Sequence, residues 1–404
     1  MAVRFVGVHD DVTLTDPNGP KPKYARFVRD GTTVTSETWS GTGKRRVTVN
    51  EFADEHQAWR GFDKETRTRM RRGFVYLRDF ADTPPGGLVM QCVVPGVGLG
   101  YGFDLHPDGT TLATGFGSDR NGTAVMHLID VATGMRTLVH TDPPVPGRSQ
   151  PWLYDVLFDS AGGLVSTLND ETRRLDLATG ALRVIASTAR RKPSWFNPHC
   201  VHPSQDASRR RLLVFDADTT VRVLDADGAT VLELPLAGFP ECRSGALSPS
   251  GRLLALAFGA TVDVWEVDTG RKMFDSPFPN PFRRNDMGIR GLGFDATEAL
   301  LTACDSYAEG PVVWRLDTRQ PRHVKTDPDR TEGVCCAFAY SPDGTLLAID
   351  DGHLTFLDTG TFDKLPTERH PAYRSKRIVF SADGQLLAIG AERLSVYRPP
   401  TVKR

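Results

Sequence analysis

The chain has 404 residues, 39% of them hydrophobic, with 38 glycines and 28 prolines; many short apolar segments joined by turns argue against large-scale disorder and fit one large and one small domain. Lysine and arginine total 49 against 50 aspartates and glutamates, so overall charge steers the chain toward neither nucleic acid, membrane nor acidic substrates. Six scattered cysteines without CxxC spacing (Cys92, Cys200, Cys242, Cys304, Cys335, Cys336) fit reduced thiols, and no apolar stretch has signal-peptide or membrane-spanning length, so the expected location is the cytoplasm, away from membranes.

In chain order, Tyr24 to Val28 reads as a strand, Asp30-Gly31 as a turn, and Thr32 to Trp39 and Arg45 to Val49 as two further strands. A helix follows: Asp54 with Gln57 suggests a capping box, Trp59, Phe62, Thr66 and Met70 share a face, and Gly73 suits the C-terminal cap. Gly61 inside it costs about 1 kcal/mol against Ala. Phe74 to Leu77 returns to the sheet, completing a small α+β domain over residues 1–80. Residues 81–87, with Pro84-Pro85-Gly86-Gly87, form a linker, and Leu88 to Val94 is a strand without an obvious neighbour.

From there the sequence repeats. One half of the repeat is an apolar strand ending in a turn, as in FDLHPDG at Phe103, ALSPSG at Ala246, AYSPDG at Ala339 and VFSADG at Val379, with weaker copies at Val156, His199 and Leu292. The other half is a strand ending in a second turn, as in VMHLIDVATG from Val125, VDVWEVDTG from Val262 and LTFLDTG from Leu354. Turn positions Pro107, Ser160, Pro203, Pro249, Ala296, Pro342 and Ala382 are spaced 40 to 53 residues apart, the length of a four-stranded unit and incompatible with helical arrays. The last unit stops after Leu394 to Tyr397 with no outer strand of its own, and Leu88 to Val94 would close the ring by supplying it.

These residues resemble the WD-repeat family, whose fold is the β-propeller; Trp265-Glu266 stands where that family has Trp-Asp, while Ile129, Leu175, Leu224 and Leu357 replace the Trp elsewhere. The resemblance implies a mainly β chain with a seven-bladed WD-repeat-type β-propeller over residues 88–404. The N-terminal string from Ala25 to Trp59, with RRGFVY later, resembles the WGR domain of poly(ADP-ribose) polymerases and small bacterial proteins, although Trp39-Ser40-Gly41 lacks the family's Arg. That resemblance implies nucleic-acid binding, for which Trp39, Lys44, Arg45 and Arg46 are the candidates, in a DNA repair or defence setting.

Catalytic signatures are missing: there is no GxSxG elbow, phosphate loop, HExxH helix or kinase motif. His199, Cys200 and His202 lie on one strand, where alternation separates them, so no metal and no cofactor is expected. An enzymatic propeller therefore ranks last. Six residues before each turn position stand Tyr101, Tyr154, Asn197, Arg243, Arg290, Cys336 and Lys376, at the start of each inner strand; nearby loops add Arg190, Arg191, Trp195, Arg283, Arg284 and Tyr373, with Arg377 close by. Arg and aromatic residues are favoured interface anchors. The expected function is a non-enzymatic interaction scaffold whose propeller face binds a protein or peptide through these residues, with nucleic-acid binding by the first domain as the alternative.

Overall fold

The computed structural model describes residues 10–93, 101–117, 123–143, 153–168, 171–187, 203–216, 220–235, 242–258, 261–277, 289–305, 310–325, 337–367, 370–372, 377–390 and 393–402. Its first elements are β1 (Asp11–Asp16), β2 (Lys23–Asp30), β3 (Thr33–Ser40), β4 (Arg46–Glu51), α1 (Glu55–Arg71), β5 (Val75–Leu77) and β6 (Leu88–Cys92). Six four-stranded antiparallel meanders follow. They are β7 (Tyr101–Leu105), β8 (Thr111–Gly117), β9 (Ala124–Asp130) and β10 (Arg136–Asp142); β11 (Leu153–Phe158), β12 (Leu164–Leu168), β13 (Glu171–Leu175) and β14 (Leu182–Ser187); and β15 (Ser204–Gln205), β16 (Leu212–Asp216), β17 (Thr220–Leu224) and β18 (Thr230–Pro235). Then come β19 (Cys242–Leu247), β20 (Leu253–Phe258), β21 (Thr261–Glu266) and β22 (Arg271–Pro277); β23 (Ile289–Phe294), β24 (Leu300–Asp305), β25 (Val312–Arg315) and β26 (Pro321–His323); and β27 (Ala337–Tyr340), β28 (Leu346–Asp350), β29 (Gly352–Asp358) and β30 (His370–Ala372). The chain ends with β31 (Arg377–Phe380), β32 (Leu387–Gly390) and β33 (Leu394–Tyr397), which join a nine-stranded sheet in the order β31-β32-β33-β6-β5-β1-β2-β3-β4.

Burial follows sequence within each meander. Second strands such as β20 (LLALAF) and β28 (LLAID) are buried at every position and, apart from Asp350 at the end of β28, apolar, because both faces of the sheet are covered, whereas the outer strand β18 alternates. Apolar slabs fill the space between consecutive sheets: Leu157 and Val165 meet Leu212 and Val214, and Ala255 and Val264 meet Leu301 and Trp314. One more slab joins Met90, Cys92 and Val396 to Phe103, Leu112 and Ile129. First strands touch around a ring, β7 with β11, β19 with β23, β27 with β31, and β31 with β7. The fold is a β-propeller.

In the Trp position of the repeat, Ile129, Leu175, Leu224 and Leu357 are all buried. Trp314 is buried as well, and its indole N–H donates to Ser276 Oγ of the preceding sheet at 3.0 Å.

The N-terminal part contains a strand not foreseen from sequence, β1, which lies between β5 and β2 and buries Leu14. The helix is capped as expected at its start, where Asp54 accepts from Gln57 N at 2.7 Å, but the Gln57 side chain returns to the Asp54 carboxylate and not to its backbone. At the other end Gly73, at φ +99°, donates to Met70 O while Phe74 N reaches Arg69 O, a Schellman closure. Its buried face is Ala58, Phe62, Thr66 and Met70, with Ala58 in place of the expected Trp59, because α1 lies on β2 and β3, where Phe62 meets Phe27 edge to face at 6.5 Å. Gly61 makes room for Phe52, whose ring would stand 2.3 Å from a Cβ there.

The two parts share one sheet. β6 pairs with β33 through Met90↔Val396 and Cys92↔Leu394, and with β5 through Tyr76↔Gln91 and Leu77↔Met90. Arg393 bridges Asp63 of α1 and Gln91 of β6, and Gln91 donates to Ser395 Oγ at 3.0 Å. Between β5 and β6 the chain is pinned by Arg398, which stacks over Phe80 at 4.8 Å, donates to Thr83 O at 2.7 Å, and exchanges backbone bonds with Gly86 and Gly87.

Candidate partner-binding rim

Tyr101 opens β7, and Tyr154, Arg243 and Arg290 are each the second residue of β11, β19 and β23. In these last three strands the register skips one residue against the next strand. Pairing passes from Leu153 to Asp155, from Cys242 to Ser244 and from Ile289 to Gly291. Tyr154, Arg243 and Arg290 are therefore the extra residues of three β-bulges at one level of the ring. A bulge residue is released from the ladder's alternation, and bulges concentrate where a side chain must be re-aimed at a rim. β7 has no such skip, since Tyr101↔Phe116 passes directly to Gly102↔Gly115. Arg190, Arg191, Trp195, Asn197, Arg283, Arg284, Cys336, Tyr373 and Lys376 lie outside the described residues, as do His199, Cys200 and His202.

The far end of the inner strands is built differently. Each strand ends on a buried Ser or Asp in most units, and that side chain ties the turn: Asp159 accepts from Gly163 N, Ser248 from Leu253 N, Asp295 from Leu300 N and Ser341 from Leu346 N, at 2.7 to 3.0 Å. These recurring polar residues hold the repeat together and leave no polar atom over for a ligand.

Next to these turns a charged cluster, not foreseen from sequence, spans the ring. Asp104 of β7, 1% exposed, accepts from Phe158 N at 2.9 Å and from Arg209 Nη1 at 2.5 Å. Arg209 also donates to Leu105 O and Phe158 O. Arg377 places its guanidinium 3.7 Å from Asp104 and 3.6 Å from buried Asp155. Two carboxylates against two guanidiniums balance in charge, so Arg377, although beside the expected rim, is committed inside the ring. Among the described residues no group of three His, Cys, Asp or Glu could hold a metal ion, and no helix is long and apolar enough to cross a membrane.

In the N-terminal part Tyr24, Trp39 and Arg45 form a row across β2, β3 and the approach to β4. Tyr24 stacks on Trp39 at 5.2 Å and 16°, and the Arg45 guanidinium lies 4.6 Å from the Trp39 ring centroid. Arg45 also pairs with Glu37 at 3.2 Å. Lys44 and Arg46 are exposed. Trp39 is thus flanked from both neighbouring segments, and one of the three nearby cations is already neutralised.

No family model matches the chain, and no curated protein matches it. Among solved structures, the fold is similar to a chain in the crystal structure of a mitotic checkpoint complex, with a TM-score of 0.59 and 15% sequence identity over 77% of this chain and 91% of that one. At that identity the likeness establishes the propeller fold alone. As many as 1297 chains of known structure match, so the architecture by itself selects no function.

Proposed function

We propose that this chain is a non-enzymatic scaffold of the WD-repeat type, a seven-bladed propeller in which β31, β32, β33 and the borrowed β6 make the last blade. We further propose that the rim where the inner strands begin binds a protein or peptide partner. The observation that carries this is the bulge repeated in β11, β19 and β23, which frees Tyr154, Arg243 and Arg290 from their ladders at one level. The irregularity recurs at equivalent positions in three sheets, and an aromatic and two Arg residues are of the types that anchor interfaces. The likeness to a chain of a mitotic checkpoint complex fits a protein partner.

Nucleic-acid binding through a WGR-like first domain has less to rest on, because Trp39 is flanked by Tyr24 and Arg45 and the latter pairs with Glu37. The deciding experiment is a pull-down with the parent chain and with the double variant Arg243→Glu, Arg290→Glu, alongside anisotropy with duplex and single-stranded DNA at low salt. The scaffold reading expects the charge reversal to remove partners and DNA to bind neither protein. An unchanged partner set rejects the rim; salt-dependent DNA binding that survives the reversal favours the first domain.

A further inference from the structure

The nine-stranded sheet ends on β4, and its edge is open: all but one residue of β4 are exposed, with Val47 at 54% and Val49 at 57%. Most natural edges are blunted by a bulge, a proline or a central lysine. β4 (RVTVNE) has none of these, and its register against β3 runs unbroken from Thr38↔Arg46 to Thr33↔Glu51. Phe52 N donates to Thr32 O, which fixes the parity of the ladder. Residues 46, 48 and 50 bond to β3, and Val47, Val49 and Glu51 turn their backbone groups to the free side.

We propose that β4 pairs antiparallel with β4 of a second copy of this chain, about a two-fold axis normal to the sheet at Thr48. Symmetry and parity allow only registers whose paired residue numbers sum to an even value, and centring on Thr48 makes the strand complementary to itself. Val47 then faces the second copy's Val49, and Val49 its Val47, so four exposed valines meet on one face. Arg45 faces Glu51 of the other copy at both ends, opposite charges where like ones would repel. Glu51 has no ion pair among the described residues, and Arg45 needs only to extend its present exposed pairing. Shifting the centre by one residue either way sets Glu51 opposite Val47 or Arg45 opposite Val49, and the complementarity is lost. A contact of one short strand buries less than a standard interface and is expected to be weak. This inference is independent of the propeller rim, which lies in other strands.

The test is sedimentation equilibrium of the full chain up to about 1 mM, with Val49→Pro, which deletes an outward N–H yet is tolerated at an edge, and Glu51→Arg, which sets Arg against Arg45. A thermal melt of each variant checks folding. Concentration-dependent dimer in the parent, weakened at least tenfold in both folded variants and partly regained when Glu51→Arg is mixed with Arg45→Glu, supports the pairing. A parent that stays monomeric, or a dimer unmoved by both variants, overturns it. Should Val49→Pro fail to fold, the charge pair decides alone.

Discussion

Every non-glycine residue at positive φ among the described residues falls in one of two turns that recur around the ring. Arg209 (φ 58°) and Glu298 (φ 60°) stand where other units have Gly109, Gly162, Gly251, Gly344 and Gly384; Arg319 and Phe362 stand where others have Gly134, Gly180, Gly228 and Gly270. A side chain there costs about 1–2 kcal/mol, and each of the four makes a contact that offsets it. Glu298 accepts from Ser250 N at 2.7 Å and faces Arg252, and Arg322 lies over the Phe362 ring. Arg209 is the extreme case, since it alone joins three sheets through Asp104, Leu105 and Phe158. Replacing it by Gly relieves the backbone but strands a buried carboxylate, so Arg209→Gly is expected to destabilise by about 2–4 kcal/mol in chemical denaturation, while Glu298→Gly stays within about 1 kcal/mol. Equal effects of the two would show that the Asp104 cluster contributes nothing. The repeat itself was legible from its Pro, Asp and Gly turn residues. Arg209 was hidden because the signal was a missing Gly in a weak copy of the motif, and its partner Asp104 lies more than a hundred residues away.

At the scale of elements, strands were easier to read than their neighbours. The last three strands, the helix and the β2–β3 hairpin follow from alternation and turn residues, but β1 went unread: its alternation rests on one buried residue, Leu14, amid Asp and Thr. The bulges of the inner strands could not be seen either, because an extra residue shows only against a partner strand. The column of Tyr154, Arg243 and Arg290 could be drawn by counting back from the turns, which is why it fell on the bulged residues. One strand also holds a titrating group. His127 of β9 is half-buried, and burial, then the neighbouring Arg136 charge, hold its pKa below the ordinary 6.5. The folded protein therefore takes up this proton less readily than the unfolded chain, so stability is lost as pH falls below 6.5, by at most about 1.4 kcal/mol per pH unit. Between pH 7 and pH 5.5 the parent should therefore lose more Tm than His127→Gln; parallel losses would remove His127 from the account. Cys92, also in this region, has its thiol pushed up by burial despite Arg136.

The whole molecule depends on β6, which bonds β33 on one side and β5 on the other and contributes Met90 and Cys92 to the slab against β7–β9. Deleting β33 and everything after it would leave that slab open and cut Arg398 from the 78–87 connection. Such a truncation is expected to abolish the single cooperative melt of the chain, not merely to fray its last strands, and limited proteolysis should then cut in several sheets. A sharp melt near the parent's temperature would mean that the ring holds without closure. From sequence alone, the unpaired strand at Leu88 and the short last unit pointed to each other, because a ring must satisfy both edges. What sequence did not disclose was that β6 carries a second sheet on its far side, since β5 is only three residues long.

That sharing has a consequence for biosynthesis. β6 leaves the ribosome about three hundred residues before the strand it must zip onto, Arg393 bonding Gln91 across 302 positions. Until then the nascent N-terminal part exposes a raw sheet margin and half an apolar slab. Translation is thus expected to pass through a long interval of vulnerability to aggregation, ended in one step when β33 arrives.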